Sequence, residues 1–525
     1  MPTPSGACAM PRQALLSSAP RMVRFIYDPV RKELRAEFDF GLSSIASHFP
    51  SRADATVIAY EVPAKWAFRH ALARYHDLYP NAFTRRTKSG GIWLPFAPLS
   101  AVKNSGDFGF AFHEVAYGDW DSVKFDVCHG VESYVYVEPQ TNWRELREGG
   151  EHTYAGFMSQ LWEDALKGDK KAQATLTSGI KLEDGRYDLY LSPVAYTKSA
   201  PFGVNCDPDL STEEWGKWPN KSQYEQGMLA GPLGWGNQPP VGLSGVYIDS
   251  MEGCGEIHNF SCAAWRVTHY PLTFDPTTFK VTLLNFWGTY AFIKDLSQKL
   301  HAKGINLMGN DAFYRYWFLA PYVDIPGREY RWIENGKFTP VLDDYYLFFR
   351  SMSSRKPYVM LMNNDYDDGS RMEEYFQRSL FYAVYPSMFH GHSKINEVAY
   401  FYNPGWYNRD RELFRKYIPL IRRFDLAGWE PVPYADVQPG VIRTECYGKW
   451  ESGNLAFTLH NPSEKLQNIT MNLSRADLHL PRNICAVEWI SGKPVRIEST
   501  NDKLRIGISI PANGYAVIGL AKASD

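Results

Sequence analysis

Cysteine is scarce in this chain and ungrouped. Seven cysteines (Cys8, Cys128, Cys206, Cys254, Cys262, Cys446 and Cys485) are scattered through 525 residues. None stands in a C-x-x-C pair and the number is odd, so neither a zinc site nor a disulfide framework is indicated. Long apolar runs are missing too. No stretch is long enough to span a bilayer, so no membrane partner is expected. Residues 1–22 lack the continuous apolar core of a secretory signal, which fits either a cytoplasmic protein or an exported one with a trimmed start. Positive charge is not concentrated anywhere. The net charge is −2, and no basic block is available to neutralise phosphates, so nucleic acid is not an expected partner. Calcium-loop spacing of the EF-hand type is absent, and no cofactor is expected. Asn220, Asn259, Asn468 and Asn472 match the glycosylation acceptor pattern, a match that arises by chance in a chain of this length. Oligomeric state leaves no mark on the sequence.

What the chain has in excess is aromatic residues: 16 Trp, 33 Tyr and 30 Phe, together 15%. Aromatic rings stack on the flat C–H faces of sugars, while carboxylates and amides bond the hydroxyl rims. Most of these rings must fill cores, but the composition leans toward a carbohydrate partner, an oligosaccharide or a polysaccharide. Hydrophobic residues at 44% and charged residues at 22% are ordinary for globular domains, and the length calls for more than one.

Four regions are expected. Residues 1–20 read as a disordered lead. Residues 21–64, with the β-rich runs VRFIYD and ELRAEFDF, read as the remnant of a β-domain. Residues 65–429 open on a helix, WAFRHALARYHDLYP, stopped by Pro80, and then alternate short apolar runs with helical stretches, the pattern of βα units around a parallel sheet. The runs are GIWLPF (91–96), FGFAFHE (108–114), SYVYVEP (133–139), GVYIDS (245–250), INLMGN (305–310), FLAPYVDI (318–325), YVMLMNND (358–365) and YAVYPSMF (382–389). Helices are expected over 278–303, 343–352, 372–381 and 412–429. Eight such runs predict a (β/α)8 barrel with one insertion, 145–243, over its mouth. Residues 430–525 carry alternating runs such as GNLAFTLHN, NITMNL, NICAVEWI, KLRIGISI and GYAVIGLA, expected to form an antiparallel β-sandwich.

A barrel of this kind works at the C-terminal rim of its strands. The residues ending each run are therefore the candidates: Trp93; His113 and Glu114; Tyr136 and Glu138; Asp249 with Glu252 beyond; Asn310 and Asp311; Asp324 with Glu329 five residues on; Asn363, Asn364 and Asp365; and His390 with His392. Lys and Arg are scarce among them, which argues against a phosphate pocket. Asp249 is the sharpest signal, because an acid ending an apolar strand is costly unless paired or functional. A glycosidase needs a second carboxyl group across the scissile bond. Glu329 is the first choice, folded back by a Pro326–Gly327 turn, and Asp324 is its strand-end rival. Glu114, Glu138, Asn310, Asp311, Asn363 and Asp365 suit the binding of sugar hydroxyls, and Trp93, Tyr136 and Trp287 suit stacking walls, although core packing explains any single aromatic as well.

The segments GVYIDS (245–250), LMGND (307–311) and VDIPGRE (323–329), in the order β-remnant, barrel, β-sandwich, resemble the barrel glycosidases of the alpha-galactosidase and endo-alpha-N-acetylgalactosaminidase kind. The resemblance implies a glycoside hydrolase cleaving an α-linked O-glycosidic bond. It implies Asp249 as nucleophile and an acid/base at the end of strand five or six, which means Asp324 or Glu329, with Asp311 as an outside candidate. The full N-terminal sandwich of those enzymes is missing, and no strand-five Glu follows the endo-type pattern. A retaining mechanism is expected; the identity of the sugar, its anomer and endo or exo action are not written in the residues. Two other functions compete. A non-catalytic carbohydrate-binding barrel would keep the aromatics and amides. A metal-dependent hydrolase would use the His390/His392 pair, but metal hydrolases on this barrel place such a pair on strand one, and GIWLPF has no histidine, so no metal is expected.

Overall fold

The computed structural model describes residues 8–11, 20–191, 198–235, 241–253, 257–313, 315–334, 337–338, 342–391, 398–500 and 502–523. At its centre stand eight parallel strands: β1 (Ile92–Pro95), β2 (Phe110–Val115), β3 (Glu132–Val137), β4 (Gly245–Ile248), β5 (Asn306–Gly309), β6 (Ile325–Tyr330), β7 (Val359–Asn364) and β8 (Tyr385–Gly391). They pair in sequence order from β1 to β8. The Trp93 N–H donates to Ser387 Oγ at 2.8 Å, which ties β1 to β8 and nearly closes the barrel. Both faces of the sheet are covered, so its strands are apolar on both sides, as in Ile92–Pro95 and Gly245–Ile248, where every residue is buried. The expected (β/α)8-like barrel is present.

The helices come in chain order as α1 (Phe68–Leu78), α2 (Trp120–His129), α3 (Tyr154–Leu166), α4 (Lys170–Ser178), α5 (Lys221–Ala230), α6 (Cys262–Val267), α7 (Phe286–His301), α8 (Leu342–Ser353), α9 (Met372–Tyr382) and α10 (Pro404–Ala427). Side-chain caps set several starts: Thr153 Oγ1 accepts from Gly156 N, and Asn220 with Gln223 forms a reciprocal capping box. Two connections carry only short 3-10 turns among the described residues. These are Leu99–Ala101 and Ser105–Asp107 after β1, and Trp317–Leu319 after β5.

Strand six is where the sequence reading slips. The apolar run 318–325 holds the turn Trp317–Leu319, and the strand begins only at Ile325. Pro326 and Gly327, read as a turn, lie inside it. Pro326 is tolerated near the start of a strand. Gly327 meets β7 so closely that a Cβ there would stand 2.9 Å from the Val359 carbonyl oxygen. Packing thus overrides local turn chemistry. Two further shifts are smaller. The helix expected over 278–303 is a strand, Val281–Leu284, followed by α7. Strand eight starts at Tyr385 rather than 382.

The segment between β3 and β4 folds around its own small core, with Phe157, Leu161, Leu176 and Phe202 buried between α3, α4 and the antiparallel strand pair Thr141–Glu145 and Ser199–Gly203. At the C-terminal end, a six-stranded and a four-stranded antiparallel sheet pack face to face over Phe457, Met471, Leu504 and Ile518. Alternation is clear in Gln467–Ser474, where Ile469, Met471 and Leu473 point inward. The sandwich is tied to the barrel by Tyr447 and Thr458 hydroxyls that donate to the Phe381 carbonyl at 2.7 and 2.9 Å. At the N-terminal end, Arg24–Asp28 pairs antiparallel with Glu33–Glu37, and Cys8–Pro11 with Val57–Tyr60. Cys8–Pro11 falls within the stretch read as a disordered lead, the rest of which, up to residue 19, lies outside the described residues.

Candidate active site

Three neighbouring strand ends converge at the C-terminal rim. Asp249 follows β4, Asn310 follows β5, and Glu329 lies near the end of β6. The backbone turns sharply after the first two, with Ser250 and Asp311 in the left-handed region at φ 47° and 53°. Such conformations cost energy and cluster where function needs a side chain held in place.

Asp249 is held by four donors. Its Oδ1 accepts from Tyr247 OH at 3.1 Å and Asn310 Nδ2 at 2.9 Å. Its Oδ2 accepts from Ser250 Oγ at 3.3 Å and lies 3.1 Å from Tyr136 OH. The Tyr136 hydroxyl is also 3.2 Å from Glu138 Oε2, so its single proton serves one acid or the other. Gln140 donates to the Asp249 carbonyl at 2.9 Å and fixes the backbone behind the carboxylate.

Asn310 joins the two acids. Its Nδ2 also donates to Glu329 Oε2 at 3.2 Å, while its Oδ1 accepts from the Glu329 and Asp311 N–H groups. Asn363 donates to Glu329 Oε1 and accepts from the His390 N–H. Neither Asp249 nor Glu329 has an ion-pair partner among the described residues; amides and hydroxyls alone satisfy them. Burial raises the Glu329 pKa, and the Asp249 charge adds to the rise, against the opposing pull of the two asparagine donors. Asp311 is likewise pushed up by burial.

A third acid lies beneath them. Glu114 is 2% exposed and accepts from Trp93 Nε1 at 3.1 Å. Burial first, then the charges of Asp249 and Glu329, hold its carboxyl well above the usual range. It belongs to the floor of the site rather than to its mouth.

Several expected residues stand elsewhere. Asp324 precedes β6 at the opposite end of the barrel. There its carboxylate accepts from Arg86 at 3.2 Å, His301 at 2.8 Å and the Leu307 N–H at 2.8 Å. Trp93 is fully buried inside the barrel, and Trp287 is packed between Tyr270 and Phe318, so neither offers a face to a sugar. His113 points outward to Asp126 of α2 at 2.6 Å. Glu252 accepts from the Arg315 and Tyr316 N–H groups, and burial raises its pKa to about 7. Asp365 is exposed and caps the turn to Asp367. His392 lies outside the described residues, and among the described residues no group of three or more His, Cys, Asp or Glu gathers as a metal site. Tyr247, Ser250 and Gln140 were not anticipated. Tyr247 was within reach of the sequence, because it stands two residues before Asp249 and so shares its face of the strand.

No family model matches this chain, and no curated protein matches its sequence. Solved structures share its outline. An alpha-amylase from H. orenii is similar at a TM-score of 0.44 and 12% identity, over 83% of this chain and all of that one. The galactosidase domain of an alpha-galactosidase–sucrose kinase is similar at 0.43 and 10%, over 90% of this chain and 61% of the other. A β-L-arabinopyranosidase from Geobacillus stearothermophilus in complex with arabinose is similar at 0.42 and 9%, over 84% and 98%. Likeness at this level describes outline and decides no chemistry. Among the described residues, no helix is long and apolar enough to cross a membrane.

Proposed function

We propose that this protein is a retaining glycoside hydrolase acting on an α-linked oligosaccharide or polysaccharide, with Asp249 as nucleophile and Glu329 as acid/base. The observation that carries this reading is the Asn310 amide. One nitrogen, 2.9 Å from Asp249 Oδ1 and 3.2 Å from Glu329 Oε2, bounds the separation of those oxygens by the sum of the two contacts. That bound is shorter than the ~6.5–9.5 Å gap of inverting enzymes, which must hold a water between their acids, and suits the ~5–5.5 Å gap of retaining ones.

The chemistry follows from the two environments. The Glu329 proton, favoured by burial, passes to the glycosidic oxygen as the C–O bond breaks and the alcohol departs. The Asp249 carboxylate closes on the anomeric carbon as it leaves, forming a glycosyl ester. Glu329, now a carboxylate, takes a proton from water, whose oxygen displaces Asp249 and releases the sugar with its configuration kept. Tyr247 at one oxygen and Tyr136 at the other orient the nucleophile's carboxylate, so that it needs little reorganisation.

The test is hydrolysis of a panel of p-nitrophenyl α- and β-glycosides, with the product anomer followed by NMR. Turnover of an α-glycoside with retention is expected, and Asp249→Asn abolishes it while leaving sugar binding. Unchanged turnover in Asp249→Asn, or an inverted product, overturns the assignment.

A further inference from the structure

Beside the Asp249–Glu329 pair the rim opens into a second hollow of about 410 Å³, within the ~300–1,000 Å³ of small-molecule pockets. It shares one wall with the first site: Tyr136, whose hydroxyl lies 3.1 Å from Asp249. The opposite wall belongs to the β3–β4 insertion.

Its lining is unusual in two respects. Three large aromatics ring it yet remain open to water: Trp143 is 49% exposed, Tyr117 49% and Phe96 42%. Rings left uncovered around one concavity offer flat apolar faces to a ligand that has them too. The second feature is charge. Lys221 is fully occupied, donating to Thr141 O at 3.0 Å and Asn142 Oδ1 at 2.7 Å and paired with Glu225 at 2.5 Å. Lys171, on α4, lines the same hollow, and its ammonium has no hydrogen-bond or ion-pair partner among the described residues. Burial first, then the Lys221 charge, lowers its pKa, against the opposing pull of the Glu225 and Glu138 carboxylates. Glu138 is already engaged, with Oε2 3.2 Å from Tyr136 OH and Oε1 3.4 Å from Trp143 Nε1; its spare lone pairs suit ring hydroxyls.

We propose that this hollow is a second sugar subsite, built by the insertion, that takes a ring bearing an acidic substituent (a carboxylate or a sulfate), with Lys171 as the counter-charge and Trp143 as the stacking face. The proposal rests on the glycosidase reading and adds a substrate class to it: an acidic glycan that extends from the cleaved bond toward the insertion.

The full chain carrying Asp249→Asn, so that nothing is cleaved, is applied to immobilised oligosaccharides of defined sequence in three sets: neutral, uronic-acid-bearing and sulfated. Preference for one or both acidic sets is expected, and which set is preferred separates carboxylate from sulfate. Lys171→Met loses about tenfold in affinity for the acidic set, the worth of one charge-assisted hydrogen bond, and keeps its neutral binding. Lys171→Arg keeps the preference. Trp143→Ala weakens every bound glycan. Equal binding of neutral and acidic sets, or an acidic preference that survives Lys171→Met, overturns the subsite and leaves the catalytic assignment standing. Binding to no glycan of any set overturns both.

Discussion

Strand β6 is flanked by two acids, Asp324 buried just before it and Glu329 partly buried near its end, and the two could hardly be treated more differently. Asp324, at the lower end, accepts from Arg86 at 3.2 Å and His301 at 2.8 Å, and near it lies Lys356, fully buried, its pKa lowered by that burial to about 7, and donating to the Ala320 and Val323 carbonyls. Burial opposes its ionisation, yet the His301 hydrogen bond, the Lys356 charge and the Leu307 N–H together hold its carboxyl below the usual range. Glu329, five residues on, has no ion-pair partner among the described residues and moves the other way. An acid neutralised by cations is committed to holding the fold. One held only by amides, beside a second acid, keeps its proton available and leaves the electrostatic cost unrelieved, which is characteristic of catalytic sites. The same contrast separates the two rivals for the role of acid/base: position along the strand had made them near equals, and the company they keep separates them.

The largest effects should come from neutralising each end in turn. Glu329→Gln is expected to slow natural glycosides by about 10²–10⁴-fold, and activated aryl glycosides much less, because a good leaving group does not need the proton. Equal losses on both would count against an acid role. Its melting temperature should not fall at neutral pH, since a raised pKa means that the carboxyl costs the fold stability as pH climbs above ~4.3, and the amide escapes that cost. Asp324→Asn should do the reverse. Activity per folded molecule is kept, while stability drops by about 3–5 kcal/mol at neutral pH, since Arg86 and His301 lose their partner. A depressed carboxyl stabilises the fold above its unfolded pKa and stops doing so as pH falls through the folded one. The gap between Asp324→Asn and the parent should therefore close below about pH 4. Thermal melts between pH 3 and 8 decide; a gap that stays constant would mean that Asp324 is not ionised in the fold.

Next in size is Asn310→Ala, which removes the amide between the acids. A loss of about 10²-fold in kcat is expected, comparable to deleting one oriented donor at a reacting centre, with KM little changed. A loss confined to KM would show that Asn310 binds ground-state sugar and does not hold the acids for reaction.

The contrast between the barrel's ends also explains how far the sequence could be read. The strands that were found, such as GVYID and INLMGN, are short apolar runs bounded by polar residues, and burial on both faces produces that signal directly. Strand six was displaced because Pro326–Gly327 carries strong local turn chemistry, and only packing against Val359 reveals it as strand. That displacement made Asp324 look like a rim residue. Glu329 was chosen for a loop that does not exist, yet it stands at the rim because the strand runs on to Tyr330. Asp249 needed only its own strand to be recognised. Asn310 as a bridge, Glu114 as part of the floor and Lys171 without an ion-pair partner among the described residues depend on distances between separate elements, and spacing in one chain does not encode them. Short strands at the C-terminal end, such as Ala435–Gln438 and Ile497–Ser499, were missed for a related reason: three or four residues are too few to show alternation.

The finest expected effect concerns where the alkaline limb of the pH profile lies. Asn363 donates to Glu329 Oε1 and so opposes the rise that burial imposes. Removing that donor lets the Glu329 pKa climb further. In a kcat/KM profile the limb that falls with increasing pH reports loss of this proton, so Asn363→Ala should move it to higher pH, with only a severalfold change at the plateau. Asn363→Asp should move it further in the same direction: its oxygens still accept from the His390 N–H, but a negative charge replaces the donor. The order parent, Ala, Asp along the pH axis is the signature of Glu329 as the titrating acid. A limb that stays fixed in both variants would move that role to another group, and Asp311, also raised by burial at the same rim, is then the residue to replace.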